Sequence, residues 1–224
     1  MKVLNNSAGI YFLNHFGPDV LAAFSGREYD GTRRNDFLEQ IGIQPDSLIL
    51  LKQVHGTEIV RVDAGQKQAP DFEADGMMTA LPKVALGIVT ADCIPVFFWA
   101  SDRKVIAMAH AGWRGLAGGI LAKMVRTLTG DFRVDPKHIR VIFGPAIRPC
   151  CYEVGEELRE KFGKFYRARH VDLPGFASEQ LKQEGVLRAH LFDARICTHC
   201  HHDQFFSARR EKTSERILSV LQIR

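Results

Sequence analysis

The stretch TADCIPVFFWASDRKVIAMAHAGWRG, residues 90–115, decides how the rest of the chain is interpreted. It holds two apolar, β-rich runs, and Ser101 and Asp102 between them predict the turn of a β-hairpin. Cys93 and His110 lie at the outer ends of the two runs, and glycines follow the histidine closely. The stretch is therefore either an ordinary buried hairpin or one wall of an active site.

Strand-like and helix-like segments succeed one another irregularly along the chain. Short apolar runs predict strands over 47–54, 58–63, 84–90, 95–100, 104–109, 139–143, 186–196 and 217–223. Helical spacing or helix-like composition predicts helices over 35–41, 116–128, 154–166 and 174–183. Because the two kinds of element do not alternate regularly, we expect an α+β fold of layered mixed β-sheets flanked by helices, not a doubly wound parallel sheet. The chain shows no repeat or long linker, so we expect residues 1–224 to form a single domain.

The composition narrows the classes of partner. The 224 residues carry a formal net charge of +4, and lysines and arginines form no run longer than two, so nucleic acid is not expected as a partner. No segment reaches the ~20 continuous apolar residues that span a bilayer. The N-terminus lacks the apolar core of a signal peptide, and five cysteines, two of them adjacent, do not suit a disulfide framework. We therefore expect a cytoplasmic protein that acts on small molecules and has no membrane partner.

Three residues combine into a candidate zinc site. His55, Cys93 and His110 each end a strand-like run and enter an irregular turn, where a scaffold delivers side chains to a cleft. One thiolate and two imidazoles suit zinc, and three protein ligands leave a fourth tetrahedral position open, as in catalytic zinc sites. Each residue alone has an ordinary interpretation, because a lone cysteine after an apolar run is usually a small buried hydrophobe. Their spacing matches no local ligand motif, so the residue pattern leaves both interpretations open.

A second motif lies near the C-terminus. CTHCHHD, residues 197–203, contains Cys197-x-x-Cys200, which is typical of half a structural zinc site or of a redox motif. A zinc site needs a second ligand pair, and the adjacent Cys150 and Cys151 make a poor one, so we expect a structural or pocket-lining loop. The following run, DQFFSARR (203–210), mixes aromatics with arginines that suit a flat base and an anion. Its ordinary interpretation is a loop with buried phenylalanines and solvated arginines.

Several blocks together resemble a known family. They are KQVHGTEIV (52–60), EADGMMT (73–79), TADCIPV (90–96), HAGWRGLAGGIL (110–121), GPAIRPCCYEVGEE (144–157) and CTHC with FFSARR (197–210). In this order they are similar to the signature blocks of the YfiH-like family, first labelled multicopper polyphenol oxidases or laccase-domain proteins and later assigned as purine nucleoside phosphorylases. The resemblance spans nearly the whole chain.

The resemblance implies a fold, a metal site and two activities. The fold is the layered YfiH-like cysteine hydrolase fold, shared with certain toxin deamidases. The metal is Zn²⁺, held by His55, Cys93 and His110, and Arg27 of the F-S-x-R block serves substrate or phosphate. The activities are phosphorolysis of adenosine, inosine, guanosine and methylthioadenosine, and hydrolytic deamination of adenosine, so the partners are purine nucleosides and phosphate. The chain departs from the family pattern after Arg27, where residues 28–34 replace a glycine-rich segment and shorten the loop.

Other assignments stay open alongside this one. Asp92, beside Cys93, is a candidate acid/base for deamination or a partner that orients His55 or His110. Arg114 binds phosphate or braces the helix that follows it. The alternative enzyme is a cysteine hydrolase with Cys93 as nucleophile and His110 as base. A copper oxidase is disfavoured because the chain has only nine histidines and lacks repeated His-x-His pairs, and a non-catalytic binding module is the residual possibility.

Overall fold

The computed structural model describes residues 3–5, 8–64 and 72–224. Its strands are β1 (Val3–Asn5), β2 (Ile10–Leu13), β3 (Val20–Ser25), β4 (Leu48–Leu50), β5 (Ile59–Arg61), β6 (Gly76–Thr79), β7 (Ala85–Thr90), β8 (Ile94–Ala100), β9 (Val105–Ala111), β10 (Ile139–Phe143), β11 (Tyr166–Arg167), β12 (His170–Val171), β13 (Leu191–Asp193) and β14 (Ile217–Ile223). Its α-helices are α1 (Arg34–Gln40), α2 (Trp113–Ala117), α3 (Ile120–Phe132), α4 (Arg159–Phe162), α5 (Leu173–Gln183) and α6 (Ala208–Glu211). In these ranges no helix is both long and apolar enough to cross a bilayer.

Two six-stranded sheets form the centre of the protein. One has the strand order β1-β2-β3-β14-β7-β4 and the other β13-β10-β8-β9-β6-β5. Both are mixed, because β4 pairs in parallel with β7, β5 with β6 and β10 with β13, whereas the other neighbours are antiparallel. Strands β11 and β12 form a separate small ribbon.

The hairpin of β8 and β9 is buried on both faces, which explains its continuous apolar sequence. Val96 and Phe98 pack in the core beneath the helices. Phe97 and Met108 point the other way, into the core between the two sheets. Because side chains alternate along a strand, His110 shares the inter-sheet side with Met108. The hairpin therefore delivers His110 to the edge of the core between the sheets.

Helices close the two outer faces. α3 and α5 contribute Leu121, Met124 and Leu181 to the core that covers the sheet containing β8 and β9. On the opposite side, Phe37 and Leu38 of α1 pack on the sheet containing β14. The result is a four-layer order of helix, sheet, sheet and helices. This confirms the expected fold of layered mixed sheets flanked by helices.

Two predicted helices differ from the structure. The segment 116–128 is interrupted, because Gly119 adopts a left-handed backbone (φ +83°) between α2 and α3. The segment 154–166 forms only one short helix, α4, flanked by 3₁₀ turns, and it ends at Gly163 with φ +49°. Glycines able to adopt positive φ ended both helices where apolar spacing alone predicted continuity.

The strands of the N-terminal region were not predicted at all. β3 is buried along its whole length, paired on one side with β2 and on the other with β14. A short apolar run that is buried on both faces carries no alternation, so periodicity does not identify it as a strand. The pairing partner β14 lies almost two hundred residues away in sequence, and that contact decides the structure of β3.

Candidate metal centre

The structure brings His55, Cys93 and His110 together. Each offers one ligand atom, and the three atoms lie within 4.8 Å of one another. The two imidazole rings are 4.7 Å apart between centroids and nearly perpendicular, at 76°. This convergence agrees with the predicted set of ligands, and their binding of a metal stays a prediction.

Strand register explains why residues distant in sequence meet here. Cys93 immediately precedes β8, and His110 lies opposite Pro95 in the β8–β9 pairing. Their side chains therefore leave the same end of the hairpin on the same face. His55 reaches them from the loop after β4, where its backbone adopts φ +61°.

Asp75 organises two of the three candidate ligands. Its buried carboxylate accepts a hydrogen bond from Nδ1 of His110 at 2.7 Å. It also accepts backbone N–H bonds from Val54 (3.1 Å), His55 (2.9 Å) and Gly56 (2.7 Å). One carboxylate thus fixes the loop of His55 and leaves Nε2 of His110 to face the site. Sequence reasoning missed Asp75, although it lies within the block EADGMMT.

The three groups change one another's ionisation. Burial opposes the charged form of His110, but Asp75 and Cys93 outweigh it and raise the pKa of His110 to about 9. Burial likewise opposes the Cys93 thiolate, yet hydrogen bonds and charge from His110 and His55 lower its pKa to about 7. The site therefore stabilises a thiolate, which is the form of cysteine that binds metals and attacks electrophiles.

Gly112 leaves room for the sulfur. A Cβ atom at this position would lie 2.9 Å from Sγ of Cys93 and 3.3 Å from Cδ2 of His55. We expect Gly112→Ala to displace the sulfur and to lower metal affinity about tenfold or more, because such sites tolerate displacements of only about 0.5 Å. Equilibrium dialysis with zinc measures the change.

Gly130→Ala is the matched control for this substitution. Gly130 lies in α3, and nothing approaches its added Cβ within 4 Å. Alanine there is expected to stabilise the helix by roughly 1 kcal/mol and to leave metal affinity unchanged. Equal metal affinity in the two variants would contradict the steric role of Gly112.

Asp92 holds a different loop. Its carboxylate accepts hydrogen bonds from Oγ1 of Thr198 at 2.7 Å, Oγ of Ser207 at 3.1 Å and the backbone N–H of Arg209 at 2.7 Å. The orienting contact to His110 that was considered for Asp92 belongs instead to Asp75. Three donors on one buried carboxylate favour a positioning role, and the acid/base role of Asp92 stays a prediction.

The predicted anion-binding arginines are largely occupied by protein groups. Arg27 forms an ion pair with Glu211 and stacks over Phe206, with 4.6 Å from its guanidinium carbon to the ring centroid. Arg210 shares the same Glu211 and donates to the carbonyl oxygens of Thr198, His199 and Phe205. The buried Nε of Arg27 has no hydrogen-bond partner among the described residues. These arginines therefore brace the segment after Cys197.

An open cleft of about 390 Å³ adjoins this segment, with Trp113, Tyr152 and Arg209 in its lining. Burial, with added negative charge from Cys93, raises the pKa of Tyr152 to about 12, so its hydroxyl keeps its proton. Arg114 stacks on Trp113 at 4.3 Å, and within the described ranges its guanidinium has no hydrogen bond or ion pair with the protein. It does not brace the following helix through a hydrogen bond, so it is available for an anion.

The remaining cysteines contradict the expectation that Cys150 and Cys151 make a poor second pair. Their sulfurs lie with those of Cys197 and Cys200 in one group, all within 4.8 Å. The loop of residues 197–203 thus supplies two of the four sulfurs in this group and does not merely line a pocket. Sequence spacing did not reveal this because a tertiary contact between two distant loops creates the group.

Comparisons with known proteins agree with the sequence blocks. The family described as multi-copper polyphenol oxidoreductase laccase matches residues 31–224. Purine nucleoside phosphorylase YfiH of Escherichia coli (strain K12) is 34% identical over 80% of this chain and 75% of that protein. Adenosine deaminase RL5, from an unknown prokaryotic organism, is 27% identical over 92% of this chain and 83% of that protein.

A solved structure gives the same result for the fold. YlmD from Geobacillus stearothermophilus superimposes with a TM-score of 0.89 at 25% identity, covering 99% of this chain and 98% of that chain. The agreement covers both sheets and the helices outside them. The chain therefore belongs to the YfiH-like family, whose family description is multi-copper polyphenol oxidoreductase laccase.

Proposed function

We propose that this chain is a zinc-dependent enzyme of purine nucleosides. Its reactions are phosphorolysis of adenosine, inosine, guanosine and methylthioadenosine, and hydrolytic deamination of adenosine, carried out by one domain spanning residues 1–224. One observation carries the proposal: His55, Cys93 and His110 converge within 4.8 Å in a chain whose relatives bear the names of these two activities.

The donor set fits zinc. One sulfur and two imidazole nitrogens are ligands that zinc prefers, and Asp75 fixes the tautomer of His110 as carboxylates do beside zinc-bound histidines. The copper clusters of laccases need many histidines, whereas each metal-capable group in the described ranges contains two histidines or none. Zinc held by His55, Cys93 and His110 would act there as a Lewis acid.

In deamination, a water oxygen adds to C6 of adenosine and the amino group leaves as ammonia after it gains a proton. Trp113 gives the cleft a flat aromatic wall on which the purine stacks. The protonated hydroxyl of Tyr152 donates a hydrogen bond inside the cleft. The carboxylate of Asp92 holds the segment that contains Thr198 and Arg209 in place. The same carboxylate is the candidate group for proton transfer to the leaving amine.

In phosphorolysis, a phosphate oxygen attacks the anomeric carbon of the ribose while the bond to the base nitrogen breaks. The bond's electron pair passes to the base, which then takes up a proton. The reaction needs cations that hold phosphate beside the sugar. We assign this role first to Arg209, which lines the cleft, and to Arg114, which stacks on Trp113 of the cleft's lining, and retain Arg27 as the candidate implied by the family.

We expect Arg114→Ala to separate the two activities. Loss of its cation should raise the KM for phosphate about tenfold or more, because a charge-assisted contact contributes roughly 1.5–3 kcal/mol. Deamination of adenosine uses no phosphate and should change less than about twofold. Steady-state kinetics with phosphate varied at fixed inosine, and a parallel ammonia assay with adenosine, give both values.

Arg103→Ala is the matched control, because Arg103 lies in the turn at the other end of the β8–β9 hairpin. It should leave both activities at the wild-type level. If Arg27→Ala raises the KM for phosphate and Arg114→Ala does not, the anion site belongs to Arg27 and the assignment to Arg114 is wrong.

The decisive assay of the proposed function uses the unmodified protein. Adenosine is incubated with and without phosphate, and adenine, inosine and ribose 1-phosphate are separated by chromatography. Inosine without phosphate and adenine with phosphate are the expected products. Chelation should remove both, and zinc added back should restore both more fully than copper. Full turnover in protein shown by elemental analysis to be metal-free would overturn the zinc assignment.

A second candidate is a cysteine hydrolase. The order Cys93, His110, Asp75 resembles a nucleophile, its base and the carboxylate that orients the base. In that case Cys93 reacts with alkylating reagents whether or not zinc is present. Under the zinc proposal, bound metal protects Cys93 from alkylation.

A further inference from the structure

Four cysteine sulfurs gather on the protein at a place separate from the His55–Cys93–His110 group. The distances are 3.7 Å between Cys150 and Cys197, 3.7 Å between Cys150 and Cys200, and 3.4 Å between Cys151 and Cys200. A tetrahedron of sulfurs around zinc, with Zn–S bonds of about 2.3 Å, has edges of about 3.8 Å. The four sulfurs therefore already lie close to the arrangement that one zinc ion requires.

The same distances argue against disulfides. A disulfide draws two sulfurs to about 2.05 Å, whereas all four residues are free cysteines and the three pairs of sulfurs given above lie 3.4–3.7 Å apart. The two loops therefore present four thiol sulfurs that could bind a metal, and no disulfide.

The two loops are held together where the sulfurs meet. Ala146 and Cys197 form a parallel bridge, with N–H bonds from Ala146 to Ile196 and from Thr198 to Ala146. Arg148 adds a bidentate ion pair with Asp193 at 2.6 and 2.8 Å. The backbone thus fixes both cysteine pairs in register before any metal binds, which lowers the entropy lost on binding.

We propose that Cys150, Cys151, Cys197 and Cys200 form a closed, structural tetrathiolate zinc site that fastens these two loops. Each thiol that binds gives up its proton to the solvent, and the Zn²⁺ comes from solution. With four protein ligands the ion has no open position, so it has no part in the chemistry at Cys93.

The site's position gives it a structural consequence. Tyr152 follows Cys151 directly and lines the cleft, while Thr198 follows Cys197 and donates to Asp92. Zinc would therefore fix the loop that carries Tyr152 relative to the loop that carries Thr198. We expect its loss to destabilise the fold locally and to loosen these two loops first.

The test measures zinc in reduced protein by elemental analysis, in the wild type, in Cys93→Ala and in Cys150→Ser/Cys200→Ser. The wild type should hold two zinc ions per chain, and each variant should lose a different one. The serine variant should also melt at a lower temperature, and hydrogen exchange should increase at residues 146–152 and 196–200. Retention of both zinc ions in the serine variant would overturn the proposal.

A second measurement avoids the risk that the serine variant fails to fold. Cobalt is bound to Cys93→Ala, whose four remaining cysteines are intact. An intense sulfur-to-cobalt charge-transfer band with tetrahedral visible bands should appear at one cobalt ion per chain. Absence of these bands, or a disulfide among the four cysteines in freshly purified protein, would exclude the site. Neither readout depends on nucleoside turnover, so a negative activity assay does not affect this proposal.

Discussion

Asp75→Asn is expected to remove the metal of the His55–Cys93–His110 group and to abolish most turnover. The carboxylate receives four donors on two oxygens, from three backbone N–H groups and from His110. An amide has one acceptor oxygen, so in either orientation its NH₂ group faces two donors. Each buried donor left unpaired costs roughly 1–3 kcal/mol.

The substitution also changes which tautomer of His110 is favoured. Without a negative acceptor, Nδ1 no longer has to carry the proton, and the tautomer that leaves Nε2 free for a metal loses its stabilisation. Loss of an outer carboxylate typically lowers metal affinity about 10–100-fold, and a histidine in the wrong tautomer costs about 10⁴-fold in a catalytic triad. We therefore expect the turnover of Asp75→Asn to fall between about 10²- and 10⁴-fold. This variant should also lose the same zinc ion that Cys93→Ala loses.

Asp172→Asn separates this effect from a general loss of charge. Asp172 caps α5 through the N–H of Gly175, and asparagine caps helices equally well. The control should keep wild-type metal content, turnover and melting temperature. An Asp75→Asn protein that binds zinc with wild-type affinity would show that Asp75 is dispensable for the site.

The predictable and the unpredictable parts of the site differ in their physical origin. Cys93 and His110 were recognisable as candidates because each lies at the end of a strand-like run in one local hairpin, and the resemblance to the YfiH-like family added the ligand role. Asp75 acts through hydrogen bonds to a loop some twenty residues away and to a strand thirty-five residues away, so no local sequence pattern identifies it. The role of Gly112 appears only once a sulfur is seen beside it.

The same distinction applies to the fold. The buried strands β7, β8, β9, β10 and β14 were predicted from apolar runs. The layer order depends on which strands become neighbours, and β14 joins β3 and β7 only through contacts between distant parts of the chain. The four-cysteine group belongs to this second class, because a bridge between Ala146 and Cys197 creates it.

Cys93→Asp, compared with Cys93→Ala, is expected to decide between a metal ligand and a nucleophile. Aspartate is close to cysteine in size, and its oxygen binds zinc at about 2.0–2.2 Å. The aspartate variant should therefore bind one zinc ion more than the alanine variant. It should also keep a measurable fraction of the wild-type deamination rate. Alanine supplies no ligand, so that variant should lose both the ion and turnover.

The cysteine hydrolase alternative gives the opposite result, because an aspartate at position 93 cannot form a thioester or any other sulfur-linked intermediate. Both variants would then be equally inactive, whatever their metal content. The burial of His110 and its contact with Asp75 are the same in either case, so the pH dependence of the wild type does not separate the two. Zinc content and ammonia release, measured on the same preparations, do separate them, because only a metal ligand allows oxygen to replace sulfur and still support turnover.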